Sequence, residues 1–167
     1  FVEATTLAVA ALIYYDRTEI ALEAAWKYVF ICSTGIALAY LGILFLGFIY
    51  GREDASTLSF ASLSGILNQA NPMYLKIAFV FVLIGFSTKM GLFPMHTVTI
   101  DAHSVAPPPV SALISTTLMN VGFLAIFRVY KLFSSSPILP FMNNVLILSG
   151  LLSLLIAAGY MLKAKHL

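Results

Sequence analysis

The sequence predicts an all-α, polytopic membrane protein of about five transmembrane helices. Three observations carry that expectation. Hydrophobic residues make up 60% of the chain and charged residues only 10%, with a mean hydropathy of +0.97. That leaves too few charges to coat the soluble core a 167-residue chain would build. The apolar residues also gather into five stretches, separated by charged or proline-bearing connections.

The first stretch, about 1–15, ends at Tyr14 and Tyr15 and is short for a span unless helix precedes it. The opening FVEATTLAVAALIYY has no initiator methionine and no basic residues before its apolar run, so a cleavable signal peptide does not fit. An internal piece of a longer protein is expected. Residues 16–27, DRTEIALEAAWK, read as a charged turn and an interfacial start, with Glu23 and Lys27 spaced to pair on a helix surface. The second stretch, about 28–49, has 22 uncharged residues, which as a helix rise about 33 Å, close to the hydrocarbon thickness of a bilayer. Residues 51–72 form the longest polar connection, in which Phe60, Leu63 and Leu67 could share one face of a short surface helix.

The third stretch covers about 74–98, the fourth about 109–128 and the fifth about 140–162. Pro109 and Pro140 stand near first turns, where a missing N–H costs nothing. FSSSPILP, 133–140, is a loop. Four basic residues fall on each side of such a bundle, so charge bias assigns no orientation. Cys32 is the only cysteine and lies in an apolar run, as a buried thiol would. With a formal net charge of +2 and no basic block, the chain has no feature for binding nucleic acid. It also has neither cluster-ligating cysteines nor a glycine-rich dinucleotide loop, so no cofactor is expected in it.

Three ionisable residues lie within spans: Glu3, Lys89 and, nearer an interface, His96. A charge at mid-span costs about 2.5–3.5 kcal/mol on insertion scales, which raises the question of a buried partner or a function. Pro94 cannot bond to the carbonyl of Met90, and Gly91 eases bending, so the third helix is expected to be discontinuous near Gly91 and Pro94. Such a break is tolerated only inside protein or beside a cavity. For Lys89 the open readings are a structural ion pair, a deep snorkel, or a proton carrier whose opposite charge is Glu3. Glu3 reaches it only if it lies deep rather than at an interface.

His96 follows Lys89 by seven residues, about two turns along one helical face. Asp101 and His103 come next, in the connecting loop. The readings are a proton relay or an ordinary polar loop in which His96 caps backbone groups. The spacing of His96, Asp101 and His103 fits no metal-ligand pattern, so no metal site is expected. APPPVSALISTT, 106–117, brings three prolines into a helix bearing Ser111 and Ser115 on one face, for close packing or contact with ordered water. Asn120 reads as a residue bonding to a neighbouring helix.

STKMGLFPMHTVTIDAHSVAPPPVSALIS, 87–115, resembles the core motif of the antiporter-like membrane subunits. These occur in NADH:quinone oxidoreductase, in nickel–iron hydrogenases and formate hydrogenlyases, and in multisubunit cation/proton antiporters. FVEATTLA and EAAWKYVFICSTGIALA extend the likeness over essentially the whole chain, and its wording is most similar to the hydrogenase-linked branch.

The resemblance implies a subunit of about fourteen spans in two inverted repeats, of which residues 1–167 would be most of the first repeat and the start of the second. It implies that Glu3 is the membrane glutamate, that Lys89 is the proton-carrying lysine of a discontinuous helix, and that His96, Asp101 and His103 lie on the connection beyond. Ser115 departs from the quinone-linked branch, where histidine stands, and serine cannot take up a proton near neutral pH. The function implied is proton translocation, or exchange of protons with sodium, coupled to electron transfer in partner membrane and peripheral subunits that hold the redox cofactors. A prokaryotic cell membrane is the expected location. The alternatives are a stand-alone cation/proton antiporter subunit or a structural membrane scaffold.

Overall fold

A computed structural model describes residues 2–49 and 70–163, and all regular structure there is helical. Helix α1, Val2–Ile13, runs into a single 3-10 turn, Tyr14–Asp16. Arg17 then takes a left-handed conformation, φ 51°, and its N–H donates to the Tyr14 carbonyl. Helix α2 spans Glu19–Ile49. Its start lies nine residues before the apolar run, because Thr18 caps it by accepting from the Ala21 N–H at 3.1 Å. Glu23 and Lys27 also pair across its first turns at 2.8 Å. The apolar run marked the hydrophobic stretch, not the beginning of the helix.

Helix α3, Pro72–Met90, is capped by Asn71, whose side chain accepts from the Met73 N–H at 3.0 Å, with Pro72 in its first turn. It stops eight residues short of the expected Val98. Gly91 caps it in the left-handed region, φ 71°, and donates to the Ser87 carbonyl at 2.9 Å. Helix resumes as α4, Thr97–Val105. A second interruption follows: Ala106 and Pro107 are extended, ψ 141° and 146°, as residues before proline prefer. Helix α5 then runs Pro108–Phe133 and α6 Leu139–Lys163.

Four helices are long and apolar enough to cross a membrane: Glu19–Gly47, Pro72–Met90, Pro108–Phe133 and Leu139–Leu162. These account for four of the about five expected; the remaining stretch is α1, of which 12 residues are described, about 18 Å of helix. The surface helix expected at Phe60, Leu63 and Leu67 lies outside the described residues.

Within α5, Ile114–Leu118 winds as a π-helix. Here Thr116 donates back to the Ala112 carbonyl at 2.7 Å, and the Asn120 side chain donates to the Thr116 carbonyl. Asn120 therefore serves its own helix, not a neighbour as the sequence reading had it.

Two apolar clusters hold the helices together. One joins α3 to α5 and the start of α6 through Leu75, Phe79, Val82, Phe133 and Met142; the other joins α1, α2, α4 and α5 through Ile13, Cys32, Val98 and Ile114. Helices α2 and α3 approach backbone to backbone at Gly35, Gly42 and Gly85. Much of α6 is exposed, Leu154 and Leu155 by 68% each.

Gly91 is the position where side-chain freedom is narrowest around the break. A Cβ there would meet Thr99 Oγ1 at 3.1 Å, at a φ that β-branched residues avoid. Gly91→Val is expected to destabilise the protein by about 1–3 kcal/mol, read as a lower midpoint in thermal unfolding.

Candidate functional site

Lys89 occupies the last full turn of α3 and is only 5% exposed. Its Nζ donates to Thr6 Oγ1 at 2.7 Å and, more weakly, to the Tyr28 hydroxyl at 3.4 Å. It lies 5.1 Å from the centre of the Tyr28 ring, within cation–π range. Thr6 spends its own proton on the Val2 carbonyl, at 3.2 Å, which leaves its lone pairs for the ammonium. Helices α1, α2 and α3 thus converge on one nitrogen, two residues before Gly91.

Glu3 sits one turn before Thr6 on α1. Its Oε1 accepts from the Ser33 hydroxyl of α2 at 2.5 Å, and its Oε2 is buried with no partner among the described residues. The ion pairs among the described residues are Lys27–Glu23 and Lys27–Asp101, and none joins Glu3 to Lys89. Glu3 and Lys89 lie along the same seam, but the hydrogen bonds each makes are to hydroxyl groups, not to each other. The opposite charges therefore share a seam without closing a salt bridge among the described residues.

His96 does not continue the face of Lys89, because the chain leaves the helix between them. It stands at the start of α4 without capping it. Its ring stacks on Phe93, centroids 6.1 Å apart, and meets the edge of Tyr160 from α6 at 6.4 Å. Its Nδ1 is buried and has no partner among the described residues.

Asp101 is at the rim, 3.4 Å from Lys27, and so fastens α4 to α2. His103 lies within α4, not in a loop, and reaches across the second interruption. Its Nδ1 is 2.5 Å from Ser111 Oγ, and its Nε2 is 3.5 Å from Ser115 Oγ on the π-helical segment. A neutral imidazole donates from one nitrogen and accepts at the other, so the two serines take opposite roles. The two imidazoles line one cavity of about 610 Å³ with Gly91, Thr99, Ser153 and Tyr160.

The structure therefore forms two centres. Lys89 and Glu3 lie at the α1–α2–α3 seam; His96 and His103 lie beyond the break, at the cavity. Thr6, Tyr28, Ser33, Ser153 and Tyr160 escaped the sequence reading. Thr6 alone had a usable signal, one turn from Glu3; nothing in the spacing ties Tyr28 or Ser153 to the break.

Helix α4 is not one of the four spans, and burial pushes the His103 imidazole below its ordinary value of 6.5. The unfolded chain then binds a proton in mild acid that the folded chain refuses, so stability falls as pH drops below about 6.5. His103→Gln should flatten this loss, seen in thermal midpoints compared between pH ~7.5 and ~5.5.

Residues 1–167 match the family described as the NADH:quinone oxidoreductase/Mrp antiporter transmembrane family. The chain belongs to that family. A hydrogenase-4 component F homolog of Methylacidiphilum infernorum is 36% identical over 99% of this chain and 36% of its own length. The F(420)H(2) dehydrogenase subunit N of Methanosarcina mazei is 33% identical over 77% of this chain and 25% of its own. Hydrogenase-4 component B of Escherichia coli is 29% identical over 91% of this chain and 21% of its own. The chain thus spans about a third or less of these relatives. These relatives are named as components or subunits of a hydrogenase or dehydrogenase, and with four long apolar helices in this family the chain is an integral, multi-pass membrane protein.

Proposed function

We propose that this chain is the non-redox, ion-moving part of a multisubunit complex, translocating protons, or exchanging them with sodium, with energy from electron transfer in partner subunits. One observation carries the reading. Lys89 is buried against Thr6 and Tyr28 with no ion pair among the described residues, one residue before its helix breaks. Neutral hydroxyls, not a carboxylate, hold the group that such a cycle asks to change its charge.

In this reading Lys89 is the switching group. Glu3, on the same seam, biases its charge without direct contact. His96 and His103 take the proton on beyond the break, with Ser111 and Ser115 as hydroxyl links. His103 supplies from α4 the imidazole that the fifth helix lacks at Ser115. Asp101 supports the arrangement through Lys27. The redox cofactors belong to partner subunits, the setting is a prokaryotic cell membrane, and the chain forms most of a first repeat and the start of a second.

The test uses the full complex in liposomes, driven by its electron donor. Lys89→Ala should abolish ion transport while leaving assembly intact; undiminished transport would point instead to a scaffold. Transport driven by an ion gradient without any electron donor would favour the stand-alone antiporter.

A further inference from the structure

Among the described residues, side chains of α6 make two hydrogen bonds to other parts of the chain, one to a helix and one to the break. Near its start, Asn143 accepts from the Tyr130 hydroxyl of α5 at 2.8 Å. Ten residues later, about 15 Å along the axis, Ser153 Oγ accepts from the backbone N–H of Phe93 at 2.9 Å. Phe93 lies inside the break between α3 and α4. The neighbouring amides of the break bond locally: Gly91 and Leu92 to the Ser87 carbonyl, and Met95 to the Leu92 carbonyl. Pro94 has no N–H to offer.

We infer that Ser153 is a positioning residue that fastens the helix break to α6 and so sets the pose of Lys89, four residues before Phe93. The hydroxyl suits the task. It donates its own proton to the Ser149 carbonyl at 2.8 Å, which leaves its lone pairs to receive the Phe93 amide. Tyr160, two turns further along α6, meets His96 at the other end of the break, so the same helix touches it twice. Beyond the apolar contacts at its start, α6 is largely exposed, which makes Ser153 the point at which a shift of α6 would reach the chain leaving α3. This rests on the reading of Lys89 as the switching group.

The experiment uses the full complex in liposomes. Ser153→Ala should raise amide hydrogen exchange in peptides covering 91–96 about tenfold, leave the middle of α3 unchanged, and displace the pH at which transport is half-maximal. Ser153→Thr keeps the hydroxyl and should restore both. Tyr130→Phe removes the other tie of α6 and should leave exchange at 91–96 as it was.

Unchanged exchange at 91–96 in Ser153→Ala overturns the inference. So does a rise of equal size in Tyr130→Phe, which would mark general loosening of α6, or an unshifted pH profile despite faster exchange. Lys89→Ala run alongside separates the two ideas. If it transports normally the proton-carrier reading fails, whereas the exchange data still decide whether Ser153 holds the break.

Discussion

Lys89→Met and Lys89→Arg should both lower proton transport by about 100-fold or more, for opposite reasons, in a complex that still assembles. Methionine carries no proton. Arginine carries one it never gives up, so it keeps the charge but loses the cycle. Assembly should survive in Lys89→Met because no salt bridge is broken. Thr6 still donates to the Val2 carbonyl, and Lys89 forms no ion pair among the described residues that its loss would leave half-buried. A buried ammonium without a carboxylate is an unfavourable element of a fold, so an apolar chain of similar length should leave thermal stability equal or slightly higher. Proton uptake by liposomes and a thermal unfolding curve, measured on the same preparation, check the two halves. Transport by Lys89→Arg at the native rate would show that no deprotonation occurs at this site.

Gly85→Leu should cause the largest loss of stability, about 3 kcal/mol or more by overpacking. A Cβ on Gly85 would lie 2.5 Å from the Gly35 carbonyl oxygen and 2.6 Å from the Ala39 amide nitrogen, both backbone atoms that cannot swing aside. Helices α2 and α3 would have to separate, and that separation reaches the site: Tyr28 is on α2 and Lys89 on α3. The expected result is poor recovery of assembled complex, measured by size-exclusion chromatography after detergent extraction. Native recovery would mean that these helices are not in close backbone contact.

Much of this was legible in the residues, for identifiable reasons. Hydropathy reported the long helices because lipid forces backbone groups to bond within each segment. The third stretch was harder. Gly91 and Pro94 announced an interruption, but the resumption at Thr97 and the second interruption at Ala106 depend on how α4 packs against α2 through Val98 and Ala102. Lys89 stood out because a charge in a span needs an explanation, and Glu3 looked like the answer because opposite charges are the simplest partners. Thr6 and Tyr28 were invisible as partners because hydroxyl-bearing residues are unremarkable in helices, and only the crossing of α1, α2 and α3 selects these two. The polar run around His103 reads as loop, and nothing in PPPVS shows that Ser111 folds back against a helical His103.

The π-helical stretch at Ile114–Leu118 accommodates one residue more than an ordinary winding would. Each residue turns an α-helix by about 100°, so that surplus sets the angular phase of everything downstream in α5. Gly122 is one beneficiary: a Cβ there would meet the Lys89 Cβ and the Phe86 carbonyl at 3.3 Å. Wound without the surplus, the same sequence would swing Gly122 away and bring a bulkier neighbour against the lysine's backbone. The irregularity in one helix is thus what gives another helix room to hold its charge.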